Sequence, residues 1–372
     1  MNVTRSERRF DTVVVGGGQA GLAIGYYLSM QGREFVILDT HHRIGTSWRE
    51  RWDSLRIFTP ASISSLPGMP LSAPAGAFLT KDEVADYLEA YVARFHLPVR
   101  LNTTVDTLTR EGDHYLLTVG DQRLAAEHVV VATGSYQQSR IPAFASELDP
   151  TIIQFHSDEY RNPNQLQEGE VLVVGAGSSG AEIALELVPT RRVWLAGRDP
   201  GHRPKNIPPM FRQLYWWLMH KAINTDNRIG RRFKELSEKG GAPLIGIPKN
   251  ACERAGMERV SRIVGVQDGK PLLQDGRELS VANVIWCTGY APDYSWIHLP
   301  VFGSEGYPIH ARGVVEGEPG LYFLGLRFQY TLTSSFIGGV GRDARYIAEQ
   351  MAARSPVHVG HAQHPEASAL FD

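Results

Sequence analysis

Cysteine is nearly absent from this chain of 372 residues. Its two cysteines, Cys252 and Cys287, are too far apart for a CxxC pair and too few for a disulfide framework or a thiolate zinc site. An excess of either charge is lacking too: 38 Lys and Arg face 40 Asp and Glu, a formal net charge of -2. No block of like charge is long enough to follow a phosphate backbone, which argues against a nucleic-acid partner. No run approaches the roughly 20 apolar residues of a membrane span. The opening MNVTRSERRF is charged and runs straight into the strand-like DTVVV, leaving no room for the apolar stretch of a signal peptide. These absences together lead to the expectation of a cytoplasmic protein whose redox chemistry, if any, belongs to a bound cofactor. The pairs His41-His42 and His358/His361 read as solvated surface rather than metal ligands, so no metal is expected.

What the chain does have is glycine, 37 residues of it, arranged in a repeat. Each copy reads strand, Gly-rich turn, helix, strand, a turn-rich β segment, then an apolar strand closing in TG. The first runs from DTVVVGGGQAG through LAIGYYLSM and EFVILD to VVVATG; the second runs from EVLVVGAGSSG through AEIALELV and RRVWLAGR to VIWCTG. Asp268-Gly269 and Asp275-Gly276 mark hairpins in the second copy, as Glu111-Gly112-Asp113 does in the first. The expected fold is α/β: two three-layer, Rossmann-like dinucleotide-binding domains, the second inserted into the first. Residues 1–150 and 290–354 form one domain and 151–289 the other, with a helical insert at about 201–252 and a mobile tail at 355–372. The last helix carries apolar residues at Ile337, Val340, Ala344, Ile347 and Met351, and its expected home is the first domain.

In GGGQAG, Gly16, Gly18 and Gly21 occupy the GxGxxG positions between a strand and a helix. The first makes the tight turn, the second lets backbone approach a pyrophosphate, and the third brings helix against sheet. Gln19 and Ala20 then open the helix, whose free amides and dipole favour an anion by up to about 2 kcal/mol. Asp39, at the end of the next strand, is placed to accept hydrogen bonds from an adenosine ribose. GAGSSG repeats the pattern with Gly175, Gly177, Ser178, Ser179 and Gly180. Asp39 lies 23 positions after Gly16, and Arg198 lies 23 positions after Gly175. With helices of equal length, the ribose faces an acid in one unit and a cation in the other. A guanidinium pairs with a 2′-phosphate through charge-assisted hydrogen bonds of about 1.5–3 kcal/mol each, so the second site is expected to prefer NADPH. Arg203 and Lys205 are alternative holders of that phosphate, and sequence does not rank the three; a solvated strand-end role for Arg198 also stays open.

With both glycine motifs, the IGTSWRERWDSLRIFTP segment, the two TG strands and FHSDEY, nearly the whole chain resembles the class B flavin-dependent monooxygenases. His156 and Tyr160 match the His and the aromatic of that family's linker motif, whereas Pro150 and Ile152 stand where it has Phe and Gly. The resemblance implies FAD in the first domain, held by Gly16, Gly18, Gln19, Ala20, Gly21, Asp39, Thr46, Trp48, Arg49, Thr133, Gly134 and Gln329. It implies NADPH on Gly175, Gly177, Ser178, Ser179, Gly180, Arg198, Thr288 and Gly289, with His156 and Tyr160 linking the two sites. His156 reads equally well as a hinge histidine satisfied by backbone, and Trp48 as a packing aromatic.

The implied chemistry is hydride transfer from NADPH to FAD, then oxygenation of a small nitrogen or sulfur nucleophile by a flavin hydroperoxide, with dioxygen as co-substrate. No triad and no general base are assigned. The candidates lining the flavin are Trp48, Thr59 and Gln329, with Ser62 an alternative to Thr59. Ser334 and Ser335, beside Gly338, Gly339 and Gly341, are placed to aim backbone amides at its pyrimidine ring. The competing reading is an NADPH-dependent flavin dehydrogenase that passes electrons to a quinone, a protein or oxygen; Baeyer-Villiger oxygenation of a ketone ranks below both. In the insert, Phe211, Leu214, Tyr215, Leu218 and Met219 form an apolar helical stripe beside Trp216 and Trp217. A helix packed on the NADPH domain, a substrate wall and a membrane contact all fit that stripe, and a homodimer stays open.

Overall fold

A computed structural model describes residues 7–74, 76–203, 211, 215–240, 244–245, 247 and 251–354. Strand β1 (Glu7–Val15) ends in the β-branched run Thr12–Val15 and is followed by helix α1 (Gln19–Met30) and strand β2 (Phe35–Leu38). Helix α2 (Lys81–Phe95) opens on a capping box, Thr80 accepting from the Glu83 amide and Glu83 from that of Thr80. Strands β3 (Val99–Arg100), β4 (Thr107–Glu111), β5 (His114–Val119) and β6 (Gln122–Val131) complete most of a seven-stranded sheet. Its order is β3-β2-β1-β6-β5-β4, parallel through β6 and antiparallel beyond it.

The second sheet has five strands: β7 (Ile153–His156), β8 (Val171–Val174), β9 (Val193–Ala196), β10 (Glu258–Val260) and β11 (Asn283–Trp286). Their order is β10-β9-β8-β11-β7, all parallel, with helix α3 (Ser178–Leu187) crossing from β8 to β9. The chain then returns. Strand β12 (Leu321–Phe323) pairs with β6 in the first sheet, and the last helix, α5 (Ile337–Arg354), packs on α1. All five apolar positions expected on that helix are buried. Where the chain crosses between units, Gln138–Ser139 and Tyr290–Ala291 pair as a short antiparallel ribbon.

Each sheet is covered by apolar clusters on both faces, as central parallel strands require. Trp52 departs from that division. It belongs to the IGTSWRERWDS segment yet packs with Tyr160, Leu166 and Ile183 in the second unit's core. Beside it the Asp53 amide donates to Arg161 O at 2.7 Å.

The insert differs from the expected uniform stripe. Tyr215–Trp217 are helical, but Leu218–Ala222 form a π turn before helix α4 (Arg228–Gly240). A π turn bonds i to i+5, so a 3.6-residue periodicity does not carry across it. Leu218, where the π turn begins, is exposed; before it Phe211 is exposed as well, and Trp216, read as lying beside the stripe, is the buried residue. Leu214 lies outside the described residues. Farther on, Leu244 and Ile247 pack on Ala181 of α3, while residues 220–226 dock on the turn before α5.

Candidate functional site

The two glycine turns obey the same steric rules. Gly16 and Gly175 have φ of 109° and 107°, and a Cβ at either would come within 2.6 Å and 2.2 Å of Ala132 O and Cys287 O. A Cβ on Gly21 or Gly180 would lie 1.9 Å or 1.8 Å from the carbonyl of the first glycine. The middle glycines differ in kind: at Gly18 and Gly177 nothing lies within 4 Å of where a Cβ would stand, so these positions face open space. Both are helix N-caps without a side-chain cap, which leaves first-turn amides turned toward that space. At the end of β6, the Thr133 hydroxyl is buried without a partner beside Gly134, whose φ is 75°. Open glycine, uncapped amides and an orphaned hydroxyl are what a dinucleotide cradle requires.

Asp39 closes the first turn. Its Oδ2 accepts from the Gly17 amide at 2.6 Å, and its Oδ1 accepts from the His41 amide and faces His41 Nδ1, both at 2.8 Å. Burial works to raise this carboxyl, but the hydrogen bonds from His41 and Gly17 outweigh it and hold it below its ordinary value. His41, expected as idle surface, is therefore engaged, and its bond to Asp39 raises the imidazole.

The second strand end does not match by simple counting. Gly16 N donates to Leu38 O and Gly175 N to Ala196 O, so the structural counterpart of Asp39 is Gly197. The second unit is one residue shorter between turn and strand, its helix having 10 residues against 12. Arg198 thus lies one step beyond the position that equal helices would give it. It lines a cavity of about 290 Å³ together with Pro142, Phe144, Gly175, Arg262 and Thr288. An adjoining hollow is walled by Arg198, Ser261, Arg262 and Gln274. Arg262 carried no signal of its own in the sequence. Its signal is topological: Ala196 pairs with Val260, so Arg198 and Arg262 each stand two residues past the ends of neighbouring parallel strands. Lys205 and the side chain of Arg203 lie outside the described residues.

Around the segment after Asp39, Thr46 donates to Arg43 O at 2.7 Å, and Trp48 packs half-buried against the first core. Arg49 reaches Asp86 at 2.7 Å and Glu89 at 3.1 Å on α2, so its guanidinium is engaged there. Thr59 and Ser64 are both buried, their hydroxyls 2.8 Å apart, whereas Ser62 is exposed. Ser64 went unnoticed in the sequence because nothing but this contact distinguishes it. Gln329 is buried, but its side chain closes its own loop: Oε1 accepts from the Leu326 amide and Nε2 donates to Arg312 O, each at 3.2 Å. Gln19 Nε2 donates to Ser335 O at 3.3 Å, joining the start of α1 to the turn before α5.

Between the units, His156 Nε2 lies 3.1 Å from Gly289 O and its Nδ1 accepts from the Asp158 amide at 3.2 Å. Both nitrogens are satisfied by backbone, and burial lowers the imidazole. Tyr160 is fully buried and donates to Glu186 Oε2 at 2.8 Å, within the second core. Thr288 donates to Arg140 O. Arg51 bridges the units: it binds Asp158 at 3.0 Å and also the Tyr290 hydroxyl. Its guanidinium lies over the Tyr136 and Tyr290 rings.

A repeated dinucleotide fold with two open cradles defines a two-cofactor oxidoreductase. The chain belongs to the family described as pyridine nucleotide-disulphide oxidoreductase, which matches residues 13–325. It is 43% identical to an oxidoreductase termed CzcO-like from Geobacillus kaustophilus, over 91% of this chain and 97% of that one. It is 29% identical to a probable indole-3-pyruvate monooxygenase, YUCCA3 of Arabidopsis thaliana, over 92% and 86% of the two chains. Among solved structures, a flavin-containing monooxygenase from Stenotrophomonas maltophilia superposes with a TM-score of 0.76 at 27% identity, covering 93% and 99%. The resemblance to single-component flavin monooxygenases stands, and the protein is an oxidoreductase using FAD and NAD(P)H. Disulfide exchange has no thiol pair here. Neither Cys252 nor Cys287 forms a disulfide, and burial pushes the Cys287 thiol up to about 12. Among the described residues no helix is long and apolar enough to cross a membrane.

Proposed function

We propose that the protein is a cytoplasmic monooxygenase that passes the two electrons of NADPH to dioxygen through FAD. One oxygen atom goes to the lone pair of a small nitrogen or sulfur substrate and the other leaves as water. The observation that carries the cofactor part of this reading is the divergence of two otherwise matching cradles: a carboxylate at the first strand end, and Gly197 with Arg198 and Arg262 at the second. A carboxylate accepts hydrogen bonds from a ribose diol and repels a phosphate; two guanidiniums do the reverse.

On this reading residues 1–150 and 290–354 form the FAD unit and 151–289 the NADPH unit. Gly16, Gly18, Gly21 and the first amides of α1 hold the FAD diphosphate, Asp39 its ribose, and Thr133 and Gly134 the stretch beside it. Gly175, Gly177, Gly180 and the amides of Ser178 and Ser179 hold the second diphosphate, with Pro142 and Phe144 as an apolar wall for the adenine. Arg198 and Arg262 hold the 2′-phosphate. When bound, FAD supplies hydride acceptance and oxygen activation. The chain's own work is to hold both cofactors in register and keep water out. Trp52 and the Arg51–Asp158–Tyr290 contacts serve that end by tying the FAD side to the linker. Names of relatives and neighbours support oxygen insertion as the reaction class.

The test is a panel of amines, thioethers, thiols and ketones with NADPH under ¹⁸O₂. One ¹⁸O in an amine or sulfur product for each NADPH consumed is the expected result. NADPH oxidation that yields only peroxide or a reduced quinone throughout would leave the dehydrogenase reading in its place.

A further inference from the structure

Resting on the FAD reading above, we propose that His220 is a positioning residue for the flavin edge: from the insert it fixes Thr333, and with it the turn from which α5 starts. The insert meets this turn at four places. Asn224 bridges Thr331, the Thr225 amide donates to Tyr330 O at 2.9 Å, the Tyr330 hydroxyl donates to Asp226 at 2.8 Å, and His220 Nδ1 lies 2.9 Å from Thr333 Oγ1. The first three fasten Tyr330 and Thr331 at the start of the turn. His220 reaches its fully buried inner part.

There the contacts close into a ring. Thr333 Oγ1 is 3.1 Å from Thr331 Oγ1, which accepts from Arg342 Nη2 at 2.6 Å, and Arg342 Nη1 donates back to the carbonyl of His220. Insert, turn and α5 are thereby linked through one cycle of hydrogen bonds. Burial, with Arg342 alongside, drives the His220 imidazole down to about 4, so it stays neutral at working pH with one donor and one acceptor. The wide π turn Leu218–Ala222 redirects the side chain out of the α-helical pattern toward the turn.

The opposite side of the same turn faces the FAD cradle. Ser335 O accepts from Gln19, Phe336 meets Phe58 edge-on with centroids 5.1 Å apart, and a Cβ on Gly338 would lie 1.6 Å from Ile63 O. Clamped so closely on the flavin side, the turn has its placement completed by the insert. His220 therefore transmits the insert's position, and that of any substrate bound against it, to the Ser335 end of the turn, which Gln19 ties to the first cradle.

Wild-type, H220A, H220N, T333V and H220A/T333V proteins are stripped of flavin and titrated with FAD, and the visible spectrum of the bound flavin and the peroxide released per NADPH are recorded. H220A and T333V are each expected to weaken FAD binding about tenfold, shift the spectrum and raise the peroxide fraction. The double variant is expected to be no worse than T333V alone, because T333V already removes the His220 bond along with the contact to Thr331. H220N, whose amide sits near the lost Nδ1, is expected within about threefold of wild type. Wild-type affinity and spectrum in both H220A and T333V would overturn the proposal, as would multiplying effects in the double variant. If H220A does not fold, H220N against T333V carries the comparison. A wild-type chain that takes up no FAD would instead remove the cofactor reading underneath.

Discussion

Replacing Arg198 by Ala should weaken the preference for NADPH over NADH proposed above. The magnitude follows from the cavity. Gly197 puts no carboxylate where Asp39 stands in the other unit, and on the reading proposed above Arg198 and Arg262, which line the cavity beside it, supply the attraction for a 2′-phosphate. Arg198 and Arg262 are both exposed, so each interaction is screened by solvent and salt to about 0.2–1 kcal/mol, which is about 1.4- to fivefold in the ratio of kcat/KM for NADPH to that for NADH. R262A alone should lose a similar factor, and R198A/R262A about two- to 30-fold together. NADH should be little affected by either change, since it carries no phosphate there. The assay is steady-state kinetics with both cofactors at two ionic strengths, and the NADPH advantage of the wild type should shrink at the higher one. An unchanged ratio in R198A/R262A would refute the assignment of this cavity to the 2′-phosphate, whatever happens to overall activity.

Gly18 and Gly21 should respond oppositely to alanine. G18A meets no atom of the protein, so unfolding free energy should stay within about 0.5 kcal/mol while FAD affinity falls; G21A meets Gly16 O at 1.9 Å and should cost about 1–3 kcal/mol by denaturant titration. His128 is buried with both ring nitrogens unpartnered, and burial pushes it down to about 4. The folded state thus holds it neutral while the unfolded chain takes up a proton below about pH 6.5. Its contribution is present above pH 6.5 and is lost as pH falls toward 4, by up to about 3 kcal/mol. Unfolding measured across that window should show a shallower loss in H128F than in wild type. Removing the capping-box hydroxyl with T80A should lower stability by about 1 kcal/mol and leave the NADPH preference untouched.

The sheets and both glycine turns were legible in the sequence because their requirements are local. A glycine whose Cβ would strike a carbonyl five residues away, or one on the next strand, is fixed by spacing alone, as at Gly21 and Gly16. The last helix was legible for a similar reason, its buried residues following one uninterrupted period. What escaped is set by tertiary pairing. Arg262 reaches Arg198 through the β9–β10 register, and Ser64 is marked out by its partner Thr59. Trp52 crosses into the other unit's core, which no pattern within its own segment announces. The insert misled for a different reason: a π turn shifts the phase of a helical stripe without leaving a mark in composition.

The two cradles also account for each other's differences. In the first, Asp39 lies so close that a Cβ on Gly17 would come within 2.8 Å of its Oδ2; glycine is needed there because the carboxylate is bound to the Gly17 amide. In the second, the equivalent position is Ala176, and its methyl group has room because Gly197 offers no side chain. Gly197 in turn has φ 134°, a conformation that disfavours a residue with a Cβ, and such a Cβ would approach Ala176 N to 3.1 Å. An acid therefore does not fit at the second strand end without rebuilding the turn. The next residue, Arg198, is free to point its cation at the space that the carboxylate occupies in the first unit. One residue fewer between glycine turn and strand end thus underlies the two cofactor preferences proposed above, and GGG against GAG is its trace in the sequence.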